Sequence, residues 1–122
     1  MGQRTPQRGE IWYFKPPTDP PDKNPRPVVV VSTDAITRNL RAKTLLIVPL
    51  TGSVEKEMPT HIPLSPGETG LANPSAVKAE EITTVSKESL IEPRYPLRTL
   101  SGTKICEIAE AVRLAMGCPR RL

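Results

Sequence analysis

Asn24-Pro25-Arg26-Pro27-Val28-Val29-Val30-Val31-Ser32 and, after a polar stretch over residues 33–44, Leu45-Leu46-Ile47-Val48-Pro49-Leu50-Thr51 decide the fold. Each segment carries a short uncharged apolar run bounded by proline or polar turn residues, the pattern of a buried strand. Two such runs joined by a polar loop predict an antiparallel hairpin, which brings the start of the first strand and the end of the second to one edge of the sheet. Pairing Ser32 with Leu45 places Arg26 opposite Thr51. A guanidinium and a hydroxyl then stand side by side at a sheet rim.

Outward from the hairpin, the chain reads as strands and stiff turns. Residues 1–7 are a polar leader, expected to be loose. Arg8-Gly9-Glu10-Ile11-Trp12-Tyr13-Phe14 ends in a β-branched and aromatic strand. Residues 15–25 hold five prolines, which excludes a regular element and makes a stiff loop leading into Arg26. His61-Ile62-Pro63-Leu64 predicts a strand at a sheet edge, because Pro63 has no N–H to give. Residues 67–74 predict a turn-rich link. Two further strand pieces follow over residues 76–79 and 82–85, and residues 86–91 have room for one helical turn. Ser101 as N-cap, and Gly117 before Pro119 as stop, bracket a terminal helix. Ile105, Ile108, Ala109, Val112, Ala115 and Met116 form its apolar stripe, opposite Lys104, Glu107, Glu110 and Arg113. The expectation is one domain over residues 1–122: a mainly β small barrel over 8–99 and a C-terminal α-helix over 100–117.

Composition narrows the function. The chain has 122 residues and a formal charge of +4. The whole excess lies in residues 1–43, where eight Lys or Arg meet four acids. A basic lobe suits a polyanion, nucleic acid before membrane. No apolar run reaches membrane-spanning length and no signal peptide is visible, so a cytoplasmic protein is expected. Cys106 and Cys118, on a helix and just past it, would lie about 18 Å apart, too far for a disulfide. Only four aromatics are present, so the core is thin and oligomerisation would bury more.

Most catalytic chemistries lack their residues. The single histidine, His61, alternates with apolar neighbours and reads as structural. There is no CxxC, no HxxxH, no glycine-rich phosphate loop and no GxSxG. No metal and no cofactor is expected. Arg26 with Thr51 is what remains. RNA supplies its own nucleophile, the 2′-OH, so a site need only orient it, move its proton and stabilise the phosphorane, for which a fixed guanidinium serves. Lys15, Lys23, Ser53 and Lys56 lie on the loops flanking this edge and are the candidate RNA-phosphate contacts. With so few aromatics, base reading is expected to rest on loop backbone and polar groups.

The order Arg8-Gly9-Glu10-Ile11-Trp12, Arg26-Pro27-Val28-Val29-Val30-Val31-Ser32, Val48-Pro49-Leu50-Thr51, Pro59-Thr60-His61-Ile62-Pro63-Leu64, Gly70-Leu71, Ser75-Ala76-Val77 and Glu80-Glu81-Ile82 resembles the MazF/PemK toxins over roughly residues 8–117. The resemblance implies an SH3-like small β-barrel, a homodimer, and the toxin of a type II toxin–antitoxin system. It implies a metal-independent, sequence-selective endoribonuclease acting on single-stranded RNA, leaving a 2′,3′-cyclic phosphate and a 5′-OH, with an antitoxin protein as partner. The family's catalytic arginine falls on Arg26 and its catalytic threonine on Thr51, which share acid–base work and phosphate stabilisation. The alternative on the same fold is a non-catalytic protein that binds RNA or a protein target such as DNA gyrase. Many members carry an acidic–glutamine pair before the arginine. Here that loop is Pro20-Pro21-Asp22-Lys23-Asn24-Pro25, and Asp22 does not align with the acid, which leaves the proton acceptor open.

Overall fold

The computed structural model describes residues 4–54, 58–94 and 97–117; Lys56, Tyr95 and Cys118 lie outside them. In chain order these residues form β1 (Ile11–Phe14), β2 (Arg26–Val30), the one-turn helix α1 (Asp34–Thr37), β3 (Thr44–Thr51), β4 (His61–Leu64), the one-turn helix α2 (Pro66–Thr69), β5 (Ser75–Lys78), β6 (Thr83–Ser86), β7 (Leu90–Ile91) and α3 (Gly102–Met116). The strands make an antiparallel sheet in the order β4-β5-β3-β2-β1-β7, with β6 also paired to β3. It curls into an open, barrel-like sheet.

Strand β3 is the axis. Val28, Val29 and Val30 of β2 face its Pro49, Val48 and Ile47. On its other side β6 takes Thr44 to Ile47 and β5 takes Leu50 and Thr51. Val31 N donates to Leu46 O, so even-numbered residues of β3 direct their main-chain groups at β2 and odd-numbered ones away from it. Pro49, odd-numbered, therefore lacks its N–H on the far side, between the reach of β6 and that of β5. A proline is tolerated in this central strand because it sits where the strand changes partner. At the other end of the hairpin, buried Ser32 accepts Leu46 N–H on Oγ at 2.6 Å, replacing a main-chain partner.

Side-chain alternation sorts the core into two clusters. Val29, Val48, Leu50, Leu64 and Val77 pack with Ile11, Leu100 and, from α3, Ile105 and Ile108. On the other face Trp12, Val28, Val30, Leu45, Ile47, Val85 and Leu90 pack together. Arg26 and Thr51 continue the alternation of this second face.

The Arg8-Gly9-Glu10-Ile11-Trp12 motif locks β1 in place. Arg8 Nη1 donates to Val31 O at 2.8 Å. Gly9 has φ +87°, and a Cβ there would meet Leu100 O at 3.0 Å, so only glycine fits. Glu10 accepts from Arg4, from Trp12 Nε1 and from Gln7 N. Arg4 also lies over the Trp12 ring, 5.4 Å from its centroid. Residues 4–7 are thus tied down rather than loose.

Several local expectations shift. The polar stretch of residues 33–44 contains α1, and the link of residues 67–74 begins inside α2, whose Ser65 and Glu68 form a capping box. Residues 86–91 make a 3-10 turn (Lys87–Ser89) and then the short β7. The α3 stripe is narrower than its periodicity suggests. Ile105, Ile108 and Ala111 are buried, Val112 is half-buried, and Ala109, Ala115 and Met116 are exposed. Helix α3 rests on the 3-10 turn Ala79–Glu81 and on β4, and its last turn, residues 114–117, is exposed. Ser101 Oγ accepts Lys104 N–H and Gly117 closes the helix at φ +81°, the cap and stop expected. His61 is structural: its Nε2 lies 3.0 Å from Glu80 Oε2, tying β4 to that same turn.

Two of these carboxylates make the fold acid-sensitive. Burial works to raise the Glu10 pKa, but the bonds from Arg4, Trp12 and Gln7 outweigh it and hold the group below the ordinary 4.5. Glu80 behaves alike, burial opposed by its bonds from His61 and the backbone. A folded-state pKa below the unfolded one gives stability that is present above the unfolded value and lost as pH falls through the folded value. The melting temperature should therefore fall as the pH drops through and below the ordinary carboxylate value of 4.5. Glu10→Gln should melt lower than the parent at neutral pH and lose part of that acid slope. Parallel curves for the two proteins would contradict this.

Candidate active site

Carrying the β2–β3 register one more pair of residues along the same face sets Arg26 beside Thr51. On either side of them, Phe14 of β1 is the partner of Arg26, and Ala76 of β5 is the partner of Thr51. Phe14, Arg26, Thr51 and Ala76 therefore form one row across four strands. The row opens into a cavity of about 590 Å³ where β5 and β6 part, and both Arg26 and Thr51 line it. That volume lies within the range of small-ligand sites, about 300–1,000 Å³.

The proline loop builds the arginine's surroundings. Two successive turns, Asp19 N to Pro16 O and Lys23 N to Pro20 O, fold residues 16–23 back on themselves. Lys15 Nζ closes the loop on Pro21 O at 2.7 Å. Asp19 is thereby brought to 3.3 Å from Arg26 Nη2, with Lys23 Nζ at 3.9 Å from the same carboxylate oxygen. The Asp19 side chain is only 13% exposed, while that of Arg26 is 54% exposed, so the carboxylate stands behind the guanidinium and leaves it open to the cavity. Thr51 Oγ1 accepts Ser53 N–H at 3.2 Å, which leaves its own O–H to donate.

Of the other candidate contacts, Lys15 bonds to Pro21 O within the loop, Lys23 lies 3.9 Å from Asp19, Ser53 orients Thr51 through its backbone N–H, and none of the three lines the cavity. Lys56 lies outside the described residues. The lysine that does line the cavity is Lys78, paired with Glu81, beside Asn73, Ser75 and Thr83. Sequence reasoning missed Lys78 and Asp19. Lys78 follows Ala76 by two on β5 and so shares its face, but the β3–β5 register was needed to see it. Asp19 was hidden by its seven-residue distance from Arg26; the Pro16 and Pro20 turn signals were the available clue. Among the described residues no group of three or more His, Cys, Asp or Glu is arranged to hold a metal ion. None of their helices is long and apolar enough to cross a membrane.

An open antiparallel barrel with a terminal helix, and a guanidinium and a hydroxyl lining one cavity at its rim, defines the class: a small barrel-like β protein. Residues 7–116 match the family described as the PemK-like, MazF-like toxin of type II toxin–antitoxin systems, and the chain belongs to that family. It is 32% identical over 113 residues to the endoribonuclease MazF9 of Mycobacterium tuberculosis, covering 88% of this chain and 93% of that one. Its fold is similar to an endoribonuclease solved in complex with its cognate antitoxin from a mycobacterial species. That match has a TM-score of 0.70 at 22% identity over 95% of this chain and 99% of the other. It is similar also to a MazE–MazF structure from Deinococcus radiodurans, with a TM-score of 0.72 at 18% identity over 95% and 100% of the two chains.

Proposed function

We propose that this toxin is an endoribonuclease that cuts single-stranded RNA by attack of the 2′-OH on the neighbouring phosphate, leaving a 2′,3′-cyclic phosphate and a 5′-OH. The observation that carries the reading is the placement of Arg26 and Thr51 on one face, lining one cavity. Arg26 donates to the non-bridging oxygens and neutralises the charge that grows as the phosphorane forms. Thr51, oriented through Ser53 N–H, donates its hydroxyl to the same phosphate. Asp19 acts as a positioning residue, holding the guanidinium from behind at 3.3 Å. The bond from the 2′-oxygen to phosphorus forms as the bond from phosphorus to the 5′-oxygen breaks, with the 2′-OH proton given up to solvent and one taken from solvent by the 5′-oxygen. The substrate brings its own nucleophile and Arg26 supplies the positive charge, so no step is routed through a metal. The relative solved with its antitoxin supports an antitoxin partner here as well. A homodimer belongs to the same reading, with Leu114 and Met116 exposed at the end of α3.

Purified protein should cut a long single-stranded RNA in the presence of EDTA. Arg26→Ala and Thr51→Ala should each lose about 10²–10³-fold or more in rate with an unchanged circular dichroism spectrum. A single 2′-deoxyribose at a mapped cut should block cutting there, and cutting at that site regardless would exclude the 2′-OH as nucleophile. Growth arrest with cellular RNA intact would favour a binder over an enzyme.

Asp19→Asn should lower kcat by about 10- to 100-fold without raising KM, because the guanidinium is retained but less well held. A lower KM at unchanged kcat would instead make Asp19 a mere competitor of the phosphate for Arg26.

A further inference from the structure

Single-stranded RNA is read by bases turned out of the stack and laid on aromatic rings, and this chain has few aromatics to offer. Among the described ones, Trp12 is fully buried in the core, and Tyr13 projects to the opposite face of β1 by strand alternation. Phe14 differs from both. It packs against the cluster around Trp12 and Val28 with part of its surface and stays only partly buried. It lines the same cavity as Arg26 and Thr51. It is also the direct cross-strand partner of Arg26, on the same face and one strand spacing, about 4.8 Å, away. Pro16 and Pro27 line the cavity beside it, while Asn73, Ser75, Lys78 and Glu81 put polar groups into the rest of the lining, among Leu71, Ala72 and Pro74.

From this arrangement, and resting on the ribonuclease reading above, we infer that Phe14 is the platform on which the base of a nucleotide flanking the scissile phosphate stacks. A phosphate held by Arg26 has its neighbouring base within reach of the Phe14 ring and has no other aromatic in the described part of the cavity. The core behind the ring fixes its plane, so the base meets a rigid surface and little side-chain freedom is lost on binding. Stacking on a phenyl ring is tolerant of sequence, since every base has a π-face. Phe14 thus supplies affinity and aims the phosphate at Arg26, while the polar groups elsewhere in the lining are left to discriminate bases.

The test uses the intact protein and a short RNA containing a mapped cut site, protected from cutting by one 2′-deoxyribose. 2-Aminopurine is placed on one side of the cut or on the other. Binding to the parent protein should quench fluorescence several-fold at one of the two positions. Phe14→Leu should abolish that quench, and Phe14→Tyr should keep it. On the cleavable RNA, Phe14→Leu should lower kcat/KM by about 5- to 150-fold, the range for loss of one stacked base. An abasic nucleotide at the quenched position should erase the difference between parent and variant. The inference is overturned if the bound parent protein shows no quench on either side, a result that needs no variant to fold. It is also overturned if Phe14→Leu loses as much on the abasic RNA as on the intact one, which would mark a structural role. Failure of the parent to cut RNA at all would remove the ribonuclease reading and this inference with it, whereas cutting without quenching removes the platform alone.

Discussion

Everything at the site depends on the register between β2 and β3. Side chains alternate with a period of two, so a slip of β2 by one residue would turn Arg26 to the face opposite Thr51 and move Val28 and Val30 into the other core cluster. The register is anchored where the two strands diverge. There Ser32 takes the Leu46 N–H. At the other end Pro49 offers no donor on the far side of β3, so β6 stops before it and β5 starts after it. That change of partner is also what opens the cavity. The same residue pattern that seals the core thus leaves a gap at the rim.

The cavity's chemistry is assembled from segments that the hairpin alone does not specify. Arg26 is more than half exposed, so its pair with Asp19 contributes little to stability in water, and its value is geometric. The loop that delivers Asp19 is stiff because prolines fix φ at five positions, and two turns plus the Lys15 bond fix the rest. Across the cavity, Lys78 arrives on β5 because Ala76 is the partner of Thr51. Phe14 arrives on β1 because it is the partner of Arg26. One lateral row of side chains therefore collects an aromatic ring, a cation and a hydroxyl from three successive strands.

How much of this could be read from the residues follows from the range of the interactions. The strands, the β2–β3 pairing, the edge position of β4 and the caps of α3 were legible because each rests on local pattern: an apolar run, a proline, Ser101, Gly117. The buried face of α3 was not, since Ala109 and Ala115 fit the period as well as Ala111 and only the placement of the turn at Ala79–Glu81 selects among them. Residues 4–7 looked loose because nothing local holds Arg4; its partners Glu10 and Glu92 are brought together by the sheet. The site divides the same way. The shared placement of Arg26 and Thr51 at the rim was legible from the hairpin, whereas the positions of Asp19, Lys78 and Phe14 around the cavity required the loop path and the registers of β5 and β1.

The central claim is that Arg26 and Thr51 act together on one phosphate. A double-mutant cycle on RNA cleavage measures this directly, by comparing Arg26→Ala, Thr51→Ala and the variant carrying both. Residues that serve one transition state as a unit are strongly non-additive, so the double variant should cut no more than about tenfold slower than the worse single variant. If the two losses instead multiply in full, the side chains act independently, and the shared phosphate at the sheet rim is wrong.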